Sequence, residues 1–288
     1  MFIPNHTVIT APDAAPRRYL MVLHGIYGRG QNWRSFATKL AKRRPDWGLV
    51  LVDLRMHGDS RGAPPPHTVA AAAADLAPLA EALADRNQPI SAIAGHSFGG
   101  KVALAFRHGP AGDELSQTWL FDSSPSAAPH ARDAPDNTVQ QVLRMLEALP
   151  PRFASRAAFV DHVTGRGFAP ALGHWLAMNL APADAGDTGD TSDKAGGLRL
   201  LLDTDAMGAL LDDYYATDAW PMLSAGPGVA HVVIAGASNS ISGADRERLA
   251  TLAERGAPVH THTIPEASHW LHVDALQPLL DLVADTLD

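Results

Sequence analysis

The 288-residue sequence contains no cysteine, which excludes disulfide bonds, thiolate metal sites and a cysteine nucleophile together. Basic residues are also few: 23 Lys and Arg stand against 31 Asp and Glu, for a net charge of −8. They form no basic stripe that could neutralise phosphates, so we expect no nucleic-acid partner. No apolar run reaches the roughly 20 residues of a membrane span.

The opening stretch MFIPNHTVIT has neither the basic nor the apolar region of a signal peptide, which predicts a cytoplasmic protein. The chain is, however, rich in hydrophobic residues. Hydrophobic residues make up 46% and charged residues 19%, typical of a globular protein with a sizeable core. The length favours one catalytic domain that carries an insertion.

Short apolar runs alternate with helix-length segments from residue 19 to about 122, and the pattern resumes at residue 231. The runs YLMVL, GLVLVDL, SAIAG, TWLFD and HVVIAG predict buried strands, joined by helices into a mostly parallel central sheet of the α/β class. The catalytic domain is therefore predicted at 1–123 and 226–288. Near the end of the chain, Asp274 and Gln277 have capping-box spacing, which predicts a last helix from about Asp274.

Between these parts, residues 124–225 are predicted to form a helical cap insertion, with no strand evident. Within this insertion, the Gly- and Asp-rich stretch at 181–197 has no aromatic residue. Such a composition buries too little apolar area to become ordered, so the stretch is predicted to be a mobile surface loop.

The strongest chemical signal is Gly95-His96-Ser97-Phe98-Gly99, a G-x-S-x-G element between an apolar strand and a helical run. A tight strand-to-helix turn would project the Ser97 hydroxyl as a nucleophile. The helix start would also place the backbone N–H of Phe98 beside developing negative charge. His24-Gly25 follows the first apolar strand, where the N–H of Ile26 is expected to complete an oxyanion hole. His24 itself is interpreted as a loop-packing residue near the substrate.

A serine nucleophile needs a general base, and His269 lies after the last strand, where this chain order places it. The acid has two candidates. Asp122 ends the strand beside the nucleophile strand, which puts a carboxylate at the same sheet edge. Asp245 is the alternative, although the start of a helix also explains a carboxylate there. The loop ASNSIS at 237–242 holds no carboxylate where many such enzymes carry the acid.

The segments LHGIYGRGQNW, VDLRMHGDS, AGHSFGGKVAL, FDSSP and EASHWLH resemble the α/β-hydrolase superfamily. Together with DDYYATDAWP, they are most similar to the abhydrolase-domain-11-like and YbfF-type esterases. The resemblance implies an acid after the strand that follows the nucleophile, which matches Asp122. It also implies hydrolysis of acyl esters or thioesters with no cofactor and no metal.

These features predict a carboxylesterase-type serine hydrolase that acts on a small-molecule ester or thioester through an acyl-enzyme. A C–C bond hydrolase, an acyltransferase and a non-catalytic small-ligand-binding protein remain alternatives. The insertion is expected to supply an apolar pocket for short to medium acyl groups. The residues expected near the substrate are His24, Gly25, Trp175, Tyr215 and Trp220.

Overall fold

The computed structural model describes residues 2–183 and 197–288. Its strands are β1 His6–Ile9, β2 Arg18–Leu23, β3 Trp47–Val52, β4 Ile90–His96, β5 Gln117–Phe121, β6 Leu180–Pro182, β7 Leu198–Leu200, β8 Val229–Ala235 and β9 Val259–Ile264. Seven of them form a central sheet in the order β1-β3-β2-β4-β5-β8-β9, and β6 pairs with β7 separately. All neighbouring pairs of the central sheet are parallel except β1 with β3. The predicted α/β class with a mostly parallel sheet is confirmed.

The helices of the described residues cover both faces of this sheet. They are α1 Arg34–Arg43, α2 Val69–Ala74, α3 Leu76–Ala84, α4 Phe98–Arg107, α5 Thr138–Glu147, α6 Arg156–Gly165, α7 Pro170–Leu176, α8 Thr204–Ala216, α9 Trp220–Ser224, α10 Gly243–Glu254, α11 Leu271–Asp274 and α12 Leu276–Thr286.

Burial on both faces explains why the central strands are almost continuously apolar. In β2, Met21 and Leu23 pack into the cluster that contains α2, α3 and α4. Leu20 and Val22, which point the other way because side chains alternate along a strand, pack with α1 and α12. Because β2, β4 and β5 run parallel, their carboxyl ends meet at one edge of the sheet. The loops that leave this edge carry the candidate site.

The described part of the 124–225 segment lies between β5 and β8 and contains α5 to α9. The expectation that it holds no strand is wrong, because β6 and β7 pair antiparallel there, from Leu180 opposite Leu200 to Pro182 opposite Leu198. These strands are three residues each, too short for an alternating pattern to be read from sequence. Of the loop predicted at 181–197, residues 184–196 lie outside the described residues.

The predicted capping box at Asp274 is also absent. Helix α11 ends at Asp274, and α12 begins at Leu276 without a side-chain cap. Asp274 instead accepts hydrogen bonds from the backbone and hydroxyl of Ser268, just before His269. The carboxylate therefore fixes the loop that carries the candidate base.

Candidate active site

Ser97 occupies the turn between β4 and α4, with φ 50° and ψ −116°. A positive φ is strained for a residue with a Cβ, and the flanking glycines make the turn possible. A Cβ on Gly95 would lie 2.0 Å from the carbonyl oxygen of Gly99, and one on Gly99 would lie 2.6 Å from that of His24. The Ser97 N–H donates to the Phe121 carbonyl at 3.1 Å, which ties the turn to β5. The G-x-S-x-G spacing is therefore a steric requirement of this turn.

Asp122 and His269 form a direct pair. The Nδ1 of His269 lies 2.7 Å from Oδ2 of Asp122, whose side chain is fully buried while that of His269 is 27% exposed. Oδ1 of Asp122 accepts from the Ala235 N–H at 3.2 Å, so both carboxylate oxygens are held. Within the described residues Ser97 forms no hydrogen bond with His269, but both line one cavity. Such bonds can tighten only when substrate binds.

Asp245 lies elsewhere and serves the junction between the sheet and the 124–225 segment. Its carboxylate accepts from the hydroxyls of Ser124, at 2.8 Å, and Ser126, at 2.5 Å. Lys101, fully buried in α4, donates from Nζ to the Ser126 carbonyl at 2.8 Å. Burial lowers the pKa of Lys101 to about 8. The structure thus does not bring Asp245 to His269, and its carboxylate bonds to two serines instead.

Two serines of the 237–242 loop reach the Asp122–His269 pair, and the sequence analysis assigned neither a role. The Ser238 hydroxyl donates to Oδ2 of Asp122 at 2.6 Å. The Ser240 oxygen lies 2.9 Å from Nδ1 of His269 and 3.1 Å from the Ser238 oxygen. The loop thus carries hydroxyls where many such enzymes carry the acid. Its lack of a carboxylate is the sequence feature that could have indicated a role for these serines.

Ile26 and Phe98 line the same cavity as Ser97. Neither amide donates to a protein acceptor anywhere in residues 2–183 and 197–288. Phe98 is the first residue of α4, whose first N–H groups have no partner inside the helix. Two unpaired donors near a serine are what an oxyanion hole requires.

Three buried histidines near the site form hydrogen bonds with backbone groups and are not candidates for the general base. The Nε2 atoms of His24 and His57 accept from the Leu54 and Tyr27 amides, at 3.0 and 3.2 Å, so both rings carry their proton on Nδ1. Burial lowers the pKa of His24 to about 4 and that of His57 to about 3. Burial likewise lowers the pKa of His96, whose Nε2 donates to the His269 carbonyl at 2.7 Å. All three rings therefore act as neutral supports for the loops.

Above Ser97 lies a cavity of about 540 Å³ whose surface is mainly apolar. Ser97, His269 and Ser240 are among its polar lining residues. The walls come from the 124–225 segment and from the loop after His269, and include Val139, Val142, Leu172, Trp175, Leu211, Tyr214, Tyr215 and Trp270. Trp175 and Trp270 meet edge to face, with ring centroids 4.5 Å apart. Asp136 is a charged residue of the lining, and the described lining residues include no Lys or Arg.

Of the residues expected near the substrate, Gly25, Trp175 and Tyr215 line this cavity, whereas His24 and Trp220 do not. His24 is turned under the loop by its bonds to the Gly25 carbonyl and the Leu54 amide. Trp220 packs with α10 instead, where Arg248 lies 4.2 Å over its ring and its indole N–H donates to Ser126. An aromatic residue of the insertion therefore need not face the ligand.

The fold and the arrangement of this candidate site are of the α/β-hydrolase type. The sequence profile of the alpha/beta hydrolase family matches residues 20–282, and the chain belongs to this family. Among curated proteins, an abhydrolase domain-containing protein of Schizosaccharomyces pombe is 33% identical over 85 residues. That match covers 30% of this chain and 30% of the relative, so it concerns one part of each protein.

Solved structures share the whole architecture at low identity. An esterase from a marine microorganism superposes with a TM-score of 0.77 at 20% identity, covering 100% of both chains. An E-2-(acetamidomethylene)succinate hydrolase superposes with a TM-score of 0.74 at 18% identity, covering 99% of this chain and 98% of the other. At these identities the likeness shows the fold.

Across the described residues, no helix is both long enough and apolar enough to cross a membrane.

Proposed function

We propose that the protein is a serine hydrolase that cleaves carboxylic esters or thioesters of small to medium acyl groups through an acyl-enzyme. The observation that carries the proposal is the 2.7 Å contact between the buried Asp122 and His269, because His269 lines the same cavity as the strained Ser97. A nucleophile, a base and an acid that orients the base are the parts that acyl transfer requires.

In the proposed reaction, the Ser97 oxygen attacks the substrate carbonyl while Nε2 of His269 takes the hydroxyl proton. The tetrahedral oxyanion accepts from the Ile26 and Phe98 amides. Collapse breaks the bond to the leaving alcohol or thiol, which receives the proton from His269. Water then attacks the acyl-enzyme by the same route and releases the acid, and Asp122 stabilises the imidazolium in both halves.

The cavity supports a limit on the acyl group. A volume of about 540 Å³ must hold both sides of the ester, and its walls are apolar side chains. A structural neighbour is named as a hydrolase of E-2-(acetamidomethylene)succinate, which is a dicarboxylate. No Lys or Arg lies among the described lining residues here, and Asp136 would repel an anion. We therefore expect uncharged acyl groups to be preferred.

The first test is a series of p-nitrophenyl esters from acetate to decanoate, with an acyl-CoA and a hemisuccinate ester as probes of thioester and charge. We expect kcat/KM to peak at a short or medium neutral acyl chain. A higher value on decanoate than on butyrate would contradict the size limit. Wild type that neither hydrolyses any ester nor is labelled by a fluorophosphonate would overturn the hydrolase proposal and favour ligand binding without turnover.

Labelled protein that hydrolyses none of these esters would point instead to C–C bond cleavage or acyl transfer, which use the same three residues. Product analysis with added alcohol acceptors separates these outcomes. Hydrolysis gives the free acid, whereas an acyltransferase gives a new ester in preference to the acid.

A further inference from the structure

Tyr27, the residue after Ile26, is tied at three of its polar atoms. Its N–H donates to Nε2 of His57 at 3.2 Å, its carbonyl accepts from Nδ2 of Asn179 at 2.8 Å, and its hydroxyl donates to the Val139 carbonyl at 3.0 Å. Its exposed fraction is 3% and its φ is +63°. This backbone region is unfavourable for a residue with a Cβ, so the conformation depends on its partners.

The partners come from two separate parts of the fold. His57 lies in the loop after β3, and its other nitrogen donates to the Arg55 carbonyl, so it belongs to the sheet side. Asn179 and Val139 belong to the 124–225 segment. Asn179 is 2% exposed, and its amide nitrogen donates to the Tyr27 carbonyl. A buried amide left without that acceptor would be costly, so the bond is constrained from both ends.

We infer that Asn179 and Tyr27 are positioning residues that hold the Ile26 amide in the oxyanion hole, so that docking of the 124–225 segment completes the hole. The inference rests on the proposed function, because an oxyanion forms only in acyl transfer. The Asn179 bond fixes the carbonyl of the residue that follows Ile26, and the hydroxyl bond to Val139 fixes its side chain. Rotation of the 26–27 region is then blocked on the segment side, while His57 blocks it on the sheet side.

Geometry of this kind affects the transition state more than substrate binding. Complete loss of one oxyanion donor lowers kcat by about 10²–10³-fold. A donor that is loosened, with its N–H still present, should cost less. For Asn179→Leu we expect kcat to fall about 10–30-fold with KM within about 2-fold of wild type, and for Tyr27→Phe a fall of about 3–10-fold.

The experiment compares Asn179→Leu and Tyr27→Phe with Arg156→Met as the matched control. Arg156 donates to the Ala177 and Leu180 carbonyls, so it braces the same turn as Asn179, and among the described residues it forms no hydrogen bond with residues 24–28. Each variant is assayed for kcat, KM and the Ki of a trifluoromethyl ketone, whose adduct with Ser97 places an oxyanion in the hole. We expect Ki to rise by the same factor as kcat falls in the two test variants. The ratio of KM to Ki should be unchanged in Arg156→Met.

Thermal melts separate this role from a general loss of stability. If all three variants lower Tm but leave the KM-to-Ki ratio of the folded protein within about 2-fold of wild type, the inference is wrong. It is equally wrong if the test variants change KM alone. If wild type proves unreactive, the hydrolase proposal fails by itself, and amide hydrogen exchange of residues 26–28 decides the positioning role. Faster exchange in Asn179→Leu than in Arg156→Met supports it, and equal exchange overturns it.

Discussion

The Asp122→Asn substitution tests the candidate triad most directly, because it keeps the shape of the side chain while it removes the negative charge and replaces one acceptor oxygen with an NH₂ donor. If Oδ1 of the asparagine keeps the bond from the Ala235 N–H, its NH₂ group faces Nδ1 of His269. That nitrogen must then accept, so the imidazole proton moves to Nε2. His269 can no longer take the Ser97 proton, and in Ser-His-Asp enzymes this change lowers kcat by about 10⁴-fold.

The loss expected here is smaller because Ser240 lies 2.9 Å from Nδ1 of His269 and can accept the proton bond in place of Asp122. A fraction of the protein then keeps the productive tautomer. We expect Asp122→Asn to lower kcat by about 10²–10³-fold, or about 3–4 kcal/mol in the activation free energy. The double variant Asp122→Asn with Ser240→Ala should approach ~10⁴-fold. The assay is p-nitrophenyl butyrate hydrolysis at equal folded concentration.

Asp245→Asn is the control for this measurement. It weakens the bonds to Ser124 and Ser126 at the junction, so it should lower Tm while kcat stays within about 3-fold of wild type. Equal losses of kcat in Asp122→Asn and Asp245→Asn, measured on folded protein, would refute the assignment. A double variant no worse than Asp122→Asn alone would refute the compensation by Ser240.

The turn, the buried histidines and the cavity wall each give a further prediction. Gly95→Ala puts a Cβ 2.0 Å from the Gly99 carbonyl, a backbone atom that cannot move aside, so we expect a loss of about 2–4 kcal/mol in the free energy of unfolding, and an unchanged urea midpoint would contradict it. Burial holds the pKa of His24 at about 4 and that of His57 at about 3, below the ~6.5 of the unfolded chain. Below pH 6.5 these histidines therefore bind protons in the unfolded state but not in the folded state. As the pH is lowered from 6.5 to 4.5, the free energy of unfolding should decrease by about 2–3 kcal/mol per histidine. Urea unfolding across this range checks the slope, and a flat profile would count against neutral buried rings. Trp175→Ala removes an aromatic wall of the cavity, so kcat/KM on decanoate relative to butyrate should rise, and an unchanged ratio would place the acyl chain elsewhere.

The parts of the site that the sequence predicted have local signals. A strand, a G-x-S-x-G turn and a helix follow one another around Ser97, and the glycine spacing reflects the 2.0 Å approach of the backbone at Gly95. His269 follows the last strand, and Asp122 ends a strand beside the nucleophile strand. Strand order alone brings these ends to one edge, so the pairing of Asp122 with His269 could be anticipated before any contact was known.

The supporting residues have no such signals. Asn179 meets Tyr27 across 152 residues, and Lys101 meets Thr217 across 116. Each bond joins a side chain to a backbone carbonyl, which leaves no mark on the sequence of the carbonyl partner. Trp220 was wrongly predicted to lie near the substrate. An aromatic residue of the insertion fits a pocket wall by its type, but the packing of Trp220 against α10 determines where its ring lies.

The position of Asp122 explains why the 237–242 loop has no carboxylate. Oδ2 of Asp122 already occupies the place beside Nδ1 of His269, and the Ser238 oxygen approaches the same Oδ2 to 2.6 Å. A carboxylate on that loop would face Asp122 at hydrogen-bond distance. One of the two would then have to bind a proton, since like charges so close cannot both stay ionised. A hydroxyl instead donates to the acid and leaves its charge available to the imidazolium. With the candidate acid directly after β5, the loop after β8 supplies a hydroxyl donor in place of a carboxylate, and Ser238 is the residue that provides it.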